Sequence, residues 1–122
     1  MIGTLQAVVL DCPDPKALAA FYAELVGGTV DAEDESWVEL NRDGGQRICF
    51  QLAPDHRPPT WPDPERPQQL HLDISVPRAE FDAADQRVLD LGAVRLEGDQ
   101  DGARNWRVYA DPAGHPFCLC AH

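Results

Sequence analysis

The chain has 122 residues, of which 43% are hydrophobic and 25% charged, and its formal net charge is −11. This length fits one domain, and the hydrophobic content is typical of a globular rather than a disordered protein. The negative charge opposes binding to nucleic acid and to anionic membranes, and no apolar run is long enough to cross a bilayer, so neither partner is expected.

The first half of the chain predicts a strand, a helix and three further strands. Residues 5–11 alternate as a strand, and Asp14 then caps a helix that has Pro15 at its first position. Gly27 ends the helix, and three strand-like runs follow at 29–32, 36–41 and 46–53. The apolar stripe of this helix, at helical spacing, consists of Leu18, Phe21, Tyr22 and Leu25.

The second half repeats this order of elements. A strand is predicted at 69–76 and a helix from near Pro77, with further strands at 93–97, 104–110 and 116–121. A shift of 64 residues lays Pro13 on Pro77, Gly28 on Gly92 and Val30 on Val94. We therefore predict one α+β domain made of two βαβββ modules, 1–53 and 69–122, joined by the proline-rich linker 54–68.

Strand alternation gives each predicted sheet two different faces. One parity is nearly all apolar and is expected to pack beneath the helices. The other parity mixes apolar and titratable groups, which suits an open sheet that curls around a cavity. The apolar set is Val8, Leu10, Ile48, Phe50, Leu52, Leu70, Leu72, Ile74, Phe117 and Leu119, and the mixed set includes Gln51, His71, Asp73, Cys118 and Cys120.

The four cysteines show no CxxC spacing, and residues 1–5 lack the pattern of a secretory signal. Reduced thiols in a cytoplasmic protein are therefore expected. Cys118 and Cys120 lie two residues apart on the last strand, so they share one face. Such thiols are predicted either to pack as small apolar groups or to act as ligands.

Four segments resemble the glyoxalase-like branch of the vicinal oxygen chelate superfamily, the glyoxalase/bleomycin resistance/dioxygenase group. They are LDCPDPKALAAFYAELVGG, HLDISVP, VLDLGAV and WRVYADPAGHPFCL, and the resemblance covers essentially the whole chain. It implies a cup of curled mixed sheets with helices on the outside, and a homodimer. In metal-dependent members, each module supplies two ligands to one divalent ion.

The resemblance places the four metal-ligand positions at Ala7, Gln51, His71 and Cys118. One imidazole, one neutral amide and one thiol do little to neutralise a hard divalent ion. No metal or other cofactor is therefore favoured. A softer ion such as Zn²⁺, held by His71, Cys118 and Gln51, is the alternative, and Asp73 could add a carboxylate.

Other residues of the mixed face are candidates for binding or catalysis. His71 and Asp73 could transfer protons to or from a ligand, although a purely structural histidine fits the sequence equally well. Gln51 could bind a ligand by hydrogen bonds or simply form a polar wall. Trp106 is predicted to line the cavity, and Trp61, in the polar loop, either closes over the cup or packs at a dimer interface.

Three arginines, Arg95, Arg104 and Arg107, follow in the second half and could meet an anionic ligand or form a charged strand edge.

Two functions are compatible with the sequence. The first is a protein that binds a small organic molecule and has a degenerate metal site. The second is a lyase or isomerase of the glyoxalase type, dependent on a metal or free of one. Because positions 7, 51 and 118 lack the expected ligand side chains, the sequence favours the first.

Overall fold

The computed structural model describes residues 1–97 and 104–122. The chain divides into two compact units, Met1–His56 and Arg57–His122. Each unit contains one four-stranded mixed sheet, and the element order β-α-β-β-β occurs twice. The α+β class and the two-module repeat predicted from the sequence are thereby confirmed. The described residues include no helix that combines the length and the apolar character needed to cross a membrane.

In the first unit the sheet order is β1-β4-β3-β2, with β1 and β4 parallel and the other pairs antiparallel. The last strand of the module therefore returns to lie beside its first strand. The elements are β1 Val8–Cys12, α1 Pro15–Val26, β2 Thr29–Asp34, β3 Trp37–Asn41 and β4 Ile48–Leu52.

Helix α1 begins and ends where its local sequence predicts. The Asp14 carboxylate accepts a hydrogen bond of 3.1 Å from the backbone N–H of Ala17, which satisfies one unpaired donor of the first turn. Gly27 ends the helix at φ 76°, a conformation in which a side chain would be strained. The buried face includes Leu18, and Tyr22 stacks on Phe50 of β4 with ring centroids 5.7 Å apart.

The second unit repeats this topology with the sheet order β5-β8-β7-β6, in which β5 and β8 are parallel. The helix predicted from near Pro77 starts as a short 3-10 turn, Arg78–Glu80, before the α-helix begins. The elements are β5 Leu72–Val76, α2 Phe81–Asp90, β6 Val94–Glu97, β7 Trp106–Ala110 and β8 Pro116–Ala121.

The predicted apolar faces are buried only in part: Val8, Leu72 and Ile74 are half-buried, and two residues near strand ends are exposed. Phe50, Phe117 and Leu119 are completely buried, as expected for the helix-covered side. Leu52 and Leu70, in contrast, are 40% and 52% exposed, so the prediction that they belong to the core is wrong. Leu52 is the last residue of β4, and Leu70 lies two residues before the start of β5, so neither lies in the middle of a strand.

A buried carboxylate, that of Asp85, lies on α2 between the buried apolar residues Phe81 and Val88. Asp85 is 8% exposed and accepts hydrogen bonds from the Tyr109 hydroxyl and from Arg95, while the Arg107 guanidinium lies 3.5 Å away. Burial, followed by the bond to Asp85, raises the pKa of Tyr109, so this hydroxyl stays a donor. The network ties the helix to β6 and β7.

Acidic side chains pair with all three arginines that the sequence analysis singled out. Arg95 and Arg107 pair with Asp85, and the third, Arg104, pairs with Glu97 and lies 4.6 Å from the centre of the Trp106 ring. All three therefore have acidic partners within the second unit, which favours the strand-edge role over an anion site.

Replacing Asp85 by asparagine is expected to lower the free energy of unfolding by about 2 kcal/mol, because its partners lose a buried charged acceptor. Equilibrium denaturation in urea measures this change. Asp82→Asn is the matched control, since it removes a carboxylate of the same helix whose side chain is 93% exposed. We expect little change in that variant, and equal losses in both would contradict a special role for Asp85.

Candidate functional site

A cavity of about 500 Å³ lies within the second unit. Its lining comes from β5, β7 and β8, from residues that directly precede β5 and β7, and from the proline-rich segment. This places the cavity on the face of the sheet opposite the fully buried Phe117 and Leu119. The lining residues are Trp61, Gln68, His71, Asp73, Asn105, Trp106, Val108, Pro116, Cys118, Cys120 and Ala121.

Strand pairing explains why both C-terminal thiols face this cavity. In the parallel ladder, Asp73 is opposite Cys118 and Ser75 is opposite Cys120. Along β8, buried Phe117 and Leu119 alternate with the partly exposed Cys118 and Cys120, so the thiols point to the other side. The two cysteines are therefore part of the cavity wall, whereas Cys12 and Cys49 are buried packing residues.

The carboxylate of Asp73 is a common neighbour of three other cavity side chains, those of His71, Cys118 and Cys120. Its Oδ1 lies 3.4 Å from Nε2 of His71. Burial, followed by the charge of Asp73 and a hydrogen bond to it, raises the pKa of Cys118 to about 11. The same causes, with burial again the largest, raise the pKa of Cys120. Both thiols are therefore protonated at neutral pH, because the nearby carboxylate opposes formation of the thiolate.

Two indole rings form part of the cavity wall. Trp106 is 40% exposed on β7, and Trp61 is half-buried in the proline-rich segment. Turn hydrogen bonds shape that segment, with the Thr60 N–H donating to the Arg66 carbonyl at 2.9 Å. Trp61 lies in the cavity wall, and its two predicted roles, over a ligand site or at a dimer interface, both stay predictions.

Five of the six predicted binding residues come together at this cavity: Trp61, His71, Asp73, Trp106 and Cys118. The sixth, Gln51, lies on β4 of the first unit, opposite Asp11 and Trp37. The sequence interpretation did not select Gln68 or Asn105, which also line the cavity. The polar character of both residues was visible, but their place at the cavity depends on how the loops fold.

The strand registers also show which positions of the two modules correspond. Val9 pairs with Cys49 as Asp73 pairs with Cys118, and Asp11 pairs with Gln51 as Ser75 pairs with Cys120. The first-module counterpart of Cys118 is therefore Cys49, and that of Cys120 is Gln51. Ala7 and Val9 stand at the counterparts of His71 and Asp73. The polar cluster, which consists of His71, Asp73, Cys118 and Cys120, therefore belongs to the second module alone.

Three of the cluster's side chains could also share a cation. The ligand atoms of His71, Asp73 and Cys118 all lie within 4.8 Å of one another. Nitrogen, oxygen and sulfur donors together suit Zn²⁺ better than Mg²⁺ or Ca²⁺, which take oxygen ligands. Gln51, predicted as the third ligand of such an ion, is not a member of this group.

Asp73→Asn is expected to lower the pKa of Cys118 and Cys120, because it removes the negative charge that opposes thiolate formation. Each unit of lowering means about tenfold more thiolate, so iodoacetamide at pH 8 should alkylate both residues several-fold faster in metal-free protein. Mass spectrometry of the separate cysteine peptides measures the rates. The control Asp82→Asn should leave them unchanged, and equal rates in wild type and Asp73→Asn would contradict the arrangement.

Comparison with known structures supports the fold assignment. An enzyme of the glyoxalase/bleomycin resistance protein/dioxygenase family from Burkholderia phytofirmans PsJN is 16% identical, with a TM-score of 0.76 over 98% of this chain and 98% of that chain. The fosfomycin resistance protein FosX from Listeria monocytogenes is 19% identical, with a TM-score of 0.71 over 100% of this chain and 95% of that chain. The oxidase ChaP-H2 is 19% identical, with a TM-score of 0.66 over 100% of this chain and 95% of that chain.

At these identities the structural likeness establishes the fold and leaves the activity open. No curated protein matches the sequence. The sequence model of the glyoxalase-like domain, however, matches residues 7–120, which is nearly the whole chain. The chain therefore belongs to the glyoxalase-like domain family.

Proposed function

We propose that this protein binds a small organic ligand in the cavity of the second unit. The observation that carries the proposal is the cavity itself, whose volume of about 500 Å³ lies in the range of small-molecule sites. Trp61 and Trp106 supply flat apolar surface, and His71 and Asp73 supply polar groups that could orient a ligand. A few polar groups set in an aromatic wall are typical of such sites.

An unsatisfied acceptor in the lining also supports a ligand role. Gln68 Oε1 is buried and has no hydrogen-bond partner among the described residues. A buried amide oxygen without a donor costs free energy, so most such atoms in proteins are paired. A ligand N–H or O–H that reached Gln68 would restore the missing bond.

The structural neighbours are compatible with this proposal without choosing a ligand. One is named a fosfomycin resistance protein and another an oxidase, so the same fold serves different chemistries. The ligand of this protein has to be argued from its own cavity. The homodimer and the cytoplasmic location expected from the sequence stay predictions.

A second candidate function is lyase or isomerase chemistry of the glyoxalase type. The observation that favours it is the pair of His71 Nε2 and Asp73 Oδ1, 3.4 Å apart at the cavity. An imidazole held by a carboxylate is a common arrangement for moving a proton to or from a bound molecule. The neutral thiols of Cys118 and Cys120, in contrast, are poor nucleophiles at neutral pH.

The three tryptophans provide a direct test of ligand binding. Small molecules are first screened for thermal stabilisation of the protein in buffer containing a chelator. In Trp37→Phe, which keeps both cavity tryptophans, a bound ligand is expected to change the fluorescence. In Trp61→Phe/Trp106→Phe, which keeps only Trp37 on β3 of the first unit, it is expected to leave the fluorescence unchanged. The reverse pattern would contradict binding in this cavity.

If the protein is a lyase or isomerase, a carbon-bound hydrogen of the ligand is expected to exchange with solvent deuterium. Proton NMR measures the rate of this exchange. His71→Gln should slow this exchange about 100-fold or more, because the proton acceptor is lost, while the ligand still binds. Asp82→Asn serves as the control and should exchange at the wild-type rate. Exchange that His71→Gln leaves unaffected would remove His71 from the chemistry and leave the binding function standing.

A further inference from the structure

The charged groups of the cavity wall favour one sign of ligand charge. The side chain of Asp73 lines the cavity and is 63% exposed, so a ligand can reach its carboxylate. Neither lysine nor arginine occurs among the described residues of the lining, and the raised pKa of Cys118 and Cys120 keeps both thiols neutral. An anionic ligand would therefore meet a carboxylate with no lysine or arginine beside it to offset the repulsion.

Two arginines contact lining residues without belonging to the lining themselves. Arg104 lies 4.6 Å from the centre of the Trp106 ring and is paired with Glu97. Arg78 donates a hydrogen bond of 2.8 Å to Oδ1 of Asn105. Both guanidinium groups therefore have partners within the protein, and neither adds a positive charge to the cavity wall.

We propose that the ligand of this cavity is an organic cation, a protonated amine carried on a flat apolar skeleton. This inference names the ligand class of the proposed binding function and rests on that function. The ammonium group pairs with the carboxylate of Asp73, and the skeleton lies against Trp61 and Trp106. Indole rings offer apolar surface and also attract cations to their faces, so the same wall favours both parts of the ligand.

Desolvation of Asp73 separates an amine from a neutral ligand of the same shape. A molecule that fills the cavity excludes water from this carboxylate, which costs free energy unless the molecule supplies a positive charge or strong donors. An ammonium group supplies both, and its hydrogen bond to a carboxylate is stronger than one between neutral groups. The amine is therefore expected to bind more tightly, although both molecules make the same contacts with the indoles.

Gln68 provides a second acceptor that an amine can satisfy. Its Oε1 atom is buried and has no hydrogen-bond partner among the described residues. A primary ammonium group carries three N–H donors and no acceptor, whereas a carboxylate ligand has only acceptors and cannot bond to this oxygen. The net charge of −11 on the whole chain adds a long-range attraction for cations.

Three compounds with one skeleton and different charges test the ligand class: naphthylethylamine, naphthylethanol and naphthylacetate. Isothermal titration calorimetry at neutral pH, in buffer containing a chelator, measures their dissociation constants. We expect the amine to bind at least tenfold more tightly than the alcohol, and the acetate to bind most weakly. High salt should weaken binding of the amine and leave that of the alcohol within twofold.

An amine that binds no better than the alcohol or the acetate, or that does not bind, would overturn the proposal. Such a result leaves the binding function itself standing, because that function fails only if screened molecules of every charge fail to bind in the cavity.

A variant identifies the carboxylate. Asp73→Asn keeps the shape of the side chain and removes its charge, so it should weaken binding of the amine about tenfold and leave that of the alcohol within twofold. Asp82→Asn is the control, because its side chain is 93% exposed on α2 and does not line the cavity. Equal effects of Asp73→Asn on both compounds would overturn the role of Asp73. If this variant does not fold, as judged by circular dichroism, the salt dependence in the wild type decides the question.

Discussion

The parallel pairing of β5 with β8 is the constraint on which the candidate site depends. It sets Asp73 opposite Cys118 and directs the side chain of Cys120 to the same face. A slip of one residue would turn both thiols away and bring Phe117 and Leu119 to the cavity. The complete burial of these two apolar residues on the other face opposes such a slip, so the core of the unit determines the geometry of the site.

The two modules show how one backbone arrangement can carry different chemistry. The first unit uses the same parallel pairing between β1 and β4. Its positions equivalent to the polar cluster hold Ala7, Val9, Cys49 and Gln51, and Cys49 is 1% exposed. In the second unit, a carboxylate at position 73 gives the neighbouring imidazole and thiols a common partner. The two modules therefore differ in a few side chains on strands that pair in the same way, and not in their fold.

Much of the fold could be predicted because its signals are local or periodic. The cap at Asp14, the stripe of α1 and the 64-residue repeat each depend on spacing along the chain, and the structure has the corresponding elements. Asp85 was missed because an apolar stripe predicts a hydrophobic residue at its position. Its partners, Arg95 and Tyr109, are brought to it only by the packing of α2 on the sheet.

The candidate site was predictable in its residues but not in their contacts. Alternation along the strands placed His71, Asp73 and Cys118 on one face, and they do line one cavity. Alternation could not show that the charge of Asp73 raises the pKa of both thiols, because this depends on side-chain conformation. Nor could it place Trp61, which lies in a loop whose path is set by turns and by packing rather than by a periodic pattern.

The proposed ligand site is the cavity within the second unit. Two-dimensional ¹H–¹⁵N NMR of the labelled protein, with and without the most stabilising small molecule from the screen, tests it most directly. We expect the shifted amide signals to belong to β5, β7 and β8 and to the segment around Trp61. Ligand-dependent shifts that avoid these strands and fall elsewhere on the protein would contradict it.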